Sequence, residues 1–216
     1  MIDAVIFDFD GVLVESVDIK TAAFGKLFRD EGTDVERQVV EYHLLNTGVS
    51  RFDKFRYIYQ HILKKELTED KFKNLCDTFA ALVMDEVVSA PYVAGAKEFL
   101  DSFTGKCKFF VTSATPQDEI DEIVKRRQMD QYFEEVYGAP VKKIEAVRTI
   151  LDKYGFDPDS VIYVGDAMSD YEAAKSSGLK FVARINNNED IFSKIDCAKM
   201  RDLTNLKSFF KKENTI

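Results

Sequence analysis

The chain has 216 residues, enough for one large domain or one domain carrying a smaller insertion. Its 45% hydrophobic and 31% charged residues are those of a soluble globular protein, and no apolar run approaches the roughly 20 residues that span a bilayer. The net charge of −8, with no basic run longer than the three residues Lys125-Arg126-Arg127, argues against a nucleic-acid footprint.

Ala4 to Phe7 is a short, wholly apolar run, as expected of a strand buried on both faces of a sheet. It stops at Asp8-Phe9-Asp10-Gly11. Asp8 and Asp10 lie two apart, so in an extended chain both carboxylates leave the same face, and Gly11 lets the chain turn. Two such charges about 4 Å apart repel by roughly 4 kcal/mol at an effective dielectric of ~20. That cost points to a bound cation or a site built for chemistry.

From Ile19 the period becomes helical and stays so to Phe28, with Gly32 as a stop. Residues 34–45 and 51–63 read as two further helices, separated by Asn46-Thr47-Gly48. Thr68 caps a fourth, whose stripe runs through Phe72, Leu75, Cys76, Phe79, Leu82 and Val83. No strand is expected between residues 15 and 90.

Pro91 marks the return to alternation. A helix is expected over 94–103, a strand over 108–112, and a helix over 117–127 that starts just after Pro116. A strand over 133–137, a helix over 143–154 ended by Gly155, and a strand over 161–164 follow. The pattern closes with a helix to Ser177, a strand over 180–183 and a helix over 203–211. Strands alternating with helices imply an α/β fold: a doubly wound, parallel, Rossmann-like sheet as the core, with an inserted all-helical cap domain. The expected division is 1–14 and 91–216 for the core and 15–90 for the cap.

In such a sheet, polar residues just past the carboxyl ends of the strands converge in one crevice. Three strands here end in chemistry. The first delivers Asp8 and Asp10. The second delivers Ser113 and the Ala114 amide near a helix N-terminus that favours an anion, with Thr112 as the alternative if the loop is shifted by one residue. The third delivers Asp166 and, one helical turn on, Asp170. An all-oxygen acidic cluster that also holds phosphate selects Mg²⁺. The lysine needed to offset charge is Lys143, with Lys142 as the fallback. Cys76, Cys107 and Cys197 lie too far apart to suggest a disulfide framework or a zinc site.

Asp8-Phe-Asp-Gly-Val-Leu-Val-Glu-Ser16, the Ser113 loop, Lys143 and Val164-Gly-Asp-Ala-Met-Ser-Asp170 together resemble the four motifs of the haloacid dehalogenase superfamily, in its phosphoglycolate phosphatase and β-phosphoglucomutase branch. The resemblance implies a Mg²⁺-dependent phosphatase acting on a small phosphorylated metabolite, a sugar phosphate or an organic-acid phosphate. Asp8 is then the nucleophile, Asp10 the general acid and base, and Ser113, Ala114 and Lys143 the phosphate cradle. Asp8, Asp10 through its backbone carbonyl, Asp166 and Asp170 surround the metal. In the cap, Gly48-Val49-Ser50-Arg51 resembles a mutase specificity loop, which offers Arg51 to a substrate anion. Lys20 stands where those mutases commonly carry histidine, and Pro116 replaces a polar residue of their loop, so hydrolysis is favoured over a hexose-phosphate mutase. A non-catalytic phosphometabolite-binding protein is the remaining alternative, opposed by the presence of Asp8, Asp10 and Asp166. No nucleic acid, membrane or second copy is expected as a partner, and with no signal-like start a cytoplasmic location is expected.

Overall fold

The computed structural model describes residues 2–186 and 191–213. Six parallel strands form one sheet in the order β3-β2-β1-β4-β5-β6: β1 Ala4–Phe7, β2 Lys108–Pro116, β3 Glu135–Ala139, β4 Val161–Gly165, β5 Lys180–Arg184 and β6 Ala198–Met200. The order steps outward from β1 in both directions, so β1 sits at the switch point where an open α/β sheet forms its crevice.

The apolar runs explain why the sheet is parallel and covered on both sides. Val5 and Phe7 join Phe109, Val111, Ile162 and Val164 on one face, while Ala4 and Ile6 join Phe110, Val161 and Tyr163 on the other. Each of these large side chains contributes about 1.5–3 kcal/mol by leaving water. Helices α5 (Ala96–Phe103), α6 (Gln117–Arg126) and α9 (Leu206–Glu213) cover the first face; α7 (Lys143–Tyr154) and α8 (Met168–Ser176) cover the second.

Between β1 and β2 the described chain is helical: α1 Val17–Phe28, α2 Thr33–Leu45, α3 Arg51–Tyr57 and α4 Glu69–Ser89. Thr68 caps α4, its hydroxyl accepting from the Lys71 amide at 3.4 Å. The expected helix 51–63 changes character at Ile58, where a wider π turn carries the chain to Leu63 and Lys64 stops it at φ +53°. Phe24, Phe28, Phe55 and Phe79 of this segment belong to the same apolar cluster as Phe7 and Phe109, so the core runs without a break from the sheet into the helices. The two connections to the segment are tied together. The Glu15 amide donates to the Pro91 carbonyl at 3.0 Å, the Val93 amide to the Leu13 carbonyl at 3.0 Å, and Val14 and Tyr92 form an antiparallel bridge. Arg127 donates to the Val87, Val88 and Ala90 carbonyls at 2.7–2.8 Å and so satisfies the end of α4.

Some elements differ from their sequence expectation. β2 runs on to Pro116 because, after an irregularity following Thr112, Pro116 pairs with Ala139. β3 lies two residues later than expected, and β6, three residues at the sheet edge, carries too short a pattern to read. No helix among the described residues is long and apolar enough to cross a membrane.

Candidate active site

The register assembles the site. Phe7 stands opposite both Val111 and Val164, so Asp8, Thr112 and Gly165 leave the sheet at one level, and the Asp8 amide donates to the Val164 carbonyl at 2.9 Å. Gly11 turns the chain away at φ +73°, and a Cβ there would collide with the Asp166 carboxylate and with Val17. Gly165 is equally constrained, since a Cβ would run into Asp170.

Asp8, Asp166 and Asp170 are buried, with a carboxylate oxygen from each within 4.8 Å of the others. Lys143, itself buried, joins them: its Nζ lies 3.0 Å from Asp8 Oδ2 and 2.6 Å from Asp170 Oδ1. Asp170 is held from every side. Its Oδ1 also accepts from the Tyr163 hydroxyl at 2.8 Å, and its Oδ2 accepts the amides of Asp166 and Ala167 at 3.2 and 3.0 Å. Burial raises Asp8 to about 7, with Lys143 pulling it down and Asp170 and Asp10 pushing it up. Burial, then Asp8 and Asp170, hold Asp166 well above the usual carboxylate range. Three carboxylates against one ammonium leave a surplus of negative charge. A donor set made only of oxygen fits a hard divalent cation such as Mg²⁺.

The carboxylate of Asp10 stands outside that cluster. Lys20 Nζ holds its Oδ2 at 2.5 Å, Ser16 donates to its Oδ1 at 2.7 Å, and Thr115 donates to Oδ2 at 3.0 Å. Burial alone would raise its pKa, but Lys20 and these hydrogen bonds keep it below the usual value. Any ligation from this residue therefore falls to its backbone carbonyl, because the side chain is turned to Lys20. Ser113 is buried; its hydroxyl accepts from the Thr115 amide at 3.0 Å and faces Asp10 at 3.4 Å. The Thr112 hydroxyl instead meets the Tyr163 hydroxyl at 2.6 Å, beneath the cluster. Ala114 lines the cavity that also contains Asp8, Asp10 and Asp166. Lys142 is exposed at the start of α7, whereas Lys143 points inward.

Arg51 is also brought to this cavity, as a buried residue. Both its terminal nitrogens engage Glu119 of α6, one at 3.0 Å, and its guanidinium lies 4.5 Å from the centre of the Phe79 ring.

The sequence reading names Ser16 and Lys20 but not their contacts with Asp10, which their spacing of one helical turn could have signalled; other residues it missed outright. Asn186, which donates to Asp166 Oδ2, follows β5 and so occupies a fourth strand-terminal position. His43, Lys54 and Glu119 gave no local signal.

Comparison with known proteins adds three findings. A family model described as haloacid dehalogenase-like hydrolase matches residues 5–184. A phosphorylated carbohydrates phosphatase of Thermotoga maritima is 26% identical over 187 residues, 82% of each chain, and a phosphoglycolate phosphatase of Synechococcus elongatus is 27% identical over 184 residues, 83% of this chain and 82% of that one. Among solved structures, a β-phosphoglucomutase from Clostridium difficile superposes with a TM-score of 0.78 at 20% identity, covering 100% of this chain and 98% of the other, which is a likeness of fold.

Proposed function

The chain belongs to the haloacid dehalogenase-like hydrolase family, and we propose that it hydrolyses a small phosphomonoester through an aspartyl-phosphate on Asp8. The observation that carries this reading is the buried triad Asp8, Asp166 and Asp170 gathered around Lys143 at the carboxyl edge of the sheet. The phosphatase names of the two relatives point the same way.

Asp8, Asp166 and the Asp10 carbonyl would hold Mg²⁺, with Asp170 positioning Lys143 and the Asp166-Ala167 amides behind them. Bound there, the ion supplies electrostatic stabilisation of the charge on the transferring phosphoryl oxygens. The chain's own groups do the rest. An Asp8 oxygen forms a bond to phosphorus as the ester P–O bond breaks, and Lys143, 3.0 Å away, favours the ionised nucleophile despite its burial. The departing alkoxide takes a proton from the Asp10–Lys20 pair. In the second half Asp10, held as a carboxylate, accepts a proton from the water that attacks phosphorus. The Asp8–phosphorus bond breaks, and inorganic phosphate leaves. Ser113 and the Ala114 amide face the phosphoryl oxygens.

The helices from α1 to α4 act as the cap, closing the substrate against the strand tips and excluding water.

The experiment is a panel of phosphorylated sugars and organic acids with Mg²⁺, following released phosphate and isomerised sugar phosphate separately. Phosphate release by the wild type and a loss of about 10³-fold or more in Asp8→Asn are expected. Full turnover in that variant would remove Asp8 as nucleophile, and isomerisation without phosphate release would make the protein a mutase.

A further inference from the structure

Four cations line or border the cavity between the helices and the strand tips, and three of them are paired. Lys143 is held by Asp8 and Asp170, Lys20 by Asp10, and Arg51 by Glu119. Lys54 is different. It is 2% exposed, its ammonium meets His43 Nδ1 at 2.9 Å and stands 5.4 Å from the centre of the Phe24 ring, and no carboxylate among the described residues pairs with it. His43 is also incomplete. For Nδ1 to accept from Lys54, the ring hydrogen must sit on Nε2, and that buried nitrogen has no partner among the described residues. Both side chains line the same cavity as Asp8, Asp10 and Asp166.

We propose that Lys54, with His43 beside it, takes a second anionic group of the substrate, a carboxylate or a further phosphate placed a few atoms from the scissile ester. This rests on the phosphomonoesterase reading above and narrows its substrate class. A buried ammonium without a counter-charge is costly, and an anion of the substrate removes that cost only when it binds. Burial, then Lys20, lowers Lys54 to about 7, in keeping with a cation that lacks its partner. Burial, then Lys54, holds His43 at about 2, so the imidazole is neutral and serves as a hydrogen-bond donor, not a second charge. Arg51, the cation that the sequence puts forward for this role, is already neutralised by Glu119.

The test compares three esters with Mg²⁺: ethyl phosphate, which has no second anion; phosphoglycolate, which has a carboxylate; and 1,2-ethanediol bisphosphate, which has a second phosphate. The wild type should prefer one of the last two, and which one identifies the anion. Lys54→Met should lose at least about 30-fold more kcat/KM on that ester than on ethyl phosphate, mostly through KM, with partial recovery in Lys54→Arg. An equal loss on all three esters, or a wild type that prefers ethyl phosphate, overturns the proposal. Lys54→Gln replaces Lys54→Met should the latter not fold. If the wild type hydrolyses none of them, the wider panel alone decides the phosphatase reading, and the role of Lys54 is then read from binding. A melting-temperature rise with millimolar phosphoglycolate that the variant lacks sustains it, and an equal rise in both proteins ends it.

Discussion

The two walls of the cavity are built in opposite ways. On the sheet side, Asp8, Asp166 and Asp170 come from strand tips fixed by register, carry a surplus of negative charge, and find a partner for Asp170 in every direction. On the helix side, Arg51, Lys54 and His43 come from α2 and α3 and carry cationic or neutral groups, and among the described residues Lys54 has no carboxylate and His43 Nε2 no hydrogen-bond partner. The contrast separates two tasks. Chemistry needs a rigid, preorganised wall, and recognition needs groups that are completed only by the ligand.

The largest effect that would break this contrast is expected from Asp170→Ala. It leaves Lys143 with Asp8 alone and the Tyr163 hydroxyl with Thr112 alone, and takes their acceptor from two buried amides. A loss of about 3–5 kcal/mol in urea unfolding should accompany the fall in turnover, because two buried amides lose their acceptor and Lys143 loses one of its two carboxylates. A loss under ~1 kcal/mol, measured at the same pH, would mean that the sheet wall is not the interlocked unit described.

Next comes the metal. Burial raises Asp8 to about 7, so below that pH its proton competes with a cation, and above it the carboxylate is free to ligate. The sign follows: the native protein gives up this proton on binding Mg²⁺. The rise in melting temperature produced by Mg²⁺ should therefore be greater at pH 8 than at pH 6. Differential scanning calorimetry with and without the ion at both values checks it, and an equal rise at the two would place the ion away from Asp8.

The smallest effect separates two neighbours on β2. Thr112→Val removes a hydroxyl that meets only Tyr163 among the contacts described, and should cost about 1 kcal/mol of stability with turnover nearly unaltered. Ser113→Ala should do the reverse, lowering kcat with little change in unfolding. Matching kinetic losses in the two variants would contradict the assignment of Ser113 to the reacting side.

What could be read in the sequence divides along the same line. Asp8, Asp166, Asp170 and Lys143 were legible because strand ends and helix starts are local signals, and a parallel sheet converts them into proximity. Even so, the division of labour among them was not. Whether the Asp10 side chain faces the acidic cluster or Lys20 depends on where the first turn of α1 lies against β1. The helix side was less legible still. Arg51 stood out as a residue, but its partner Glu119 is 68 positions away, and nothing in either stretch names the other. Lys54 and His43 sit 11 apart on different helices and meet only because α2 and α3 pack around Phe24. β6 went unread because a three-residue strand at a sheet edge has no period to detect.

The pairing of Leu13 and Glu15 with Val93 and Pro91 has a mechanical consequence. Two separate tethers would let the helices wander in several directions. Laced side by side, the two would act as a single strap, confining any displacement of the helices against the strand tips to a bend along one line.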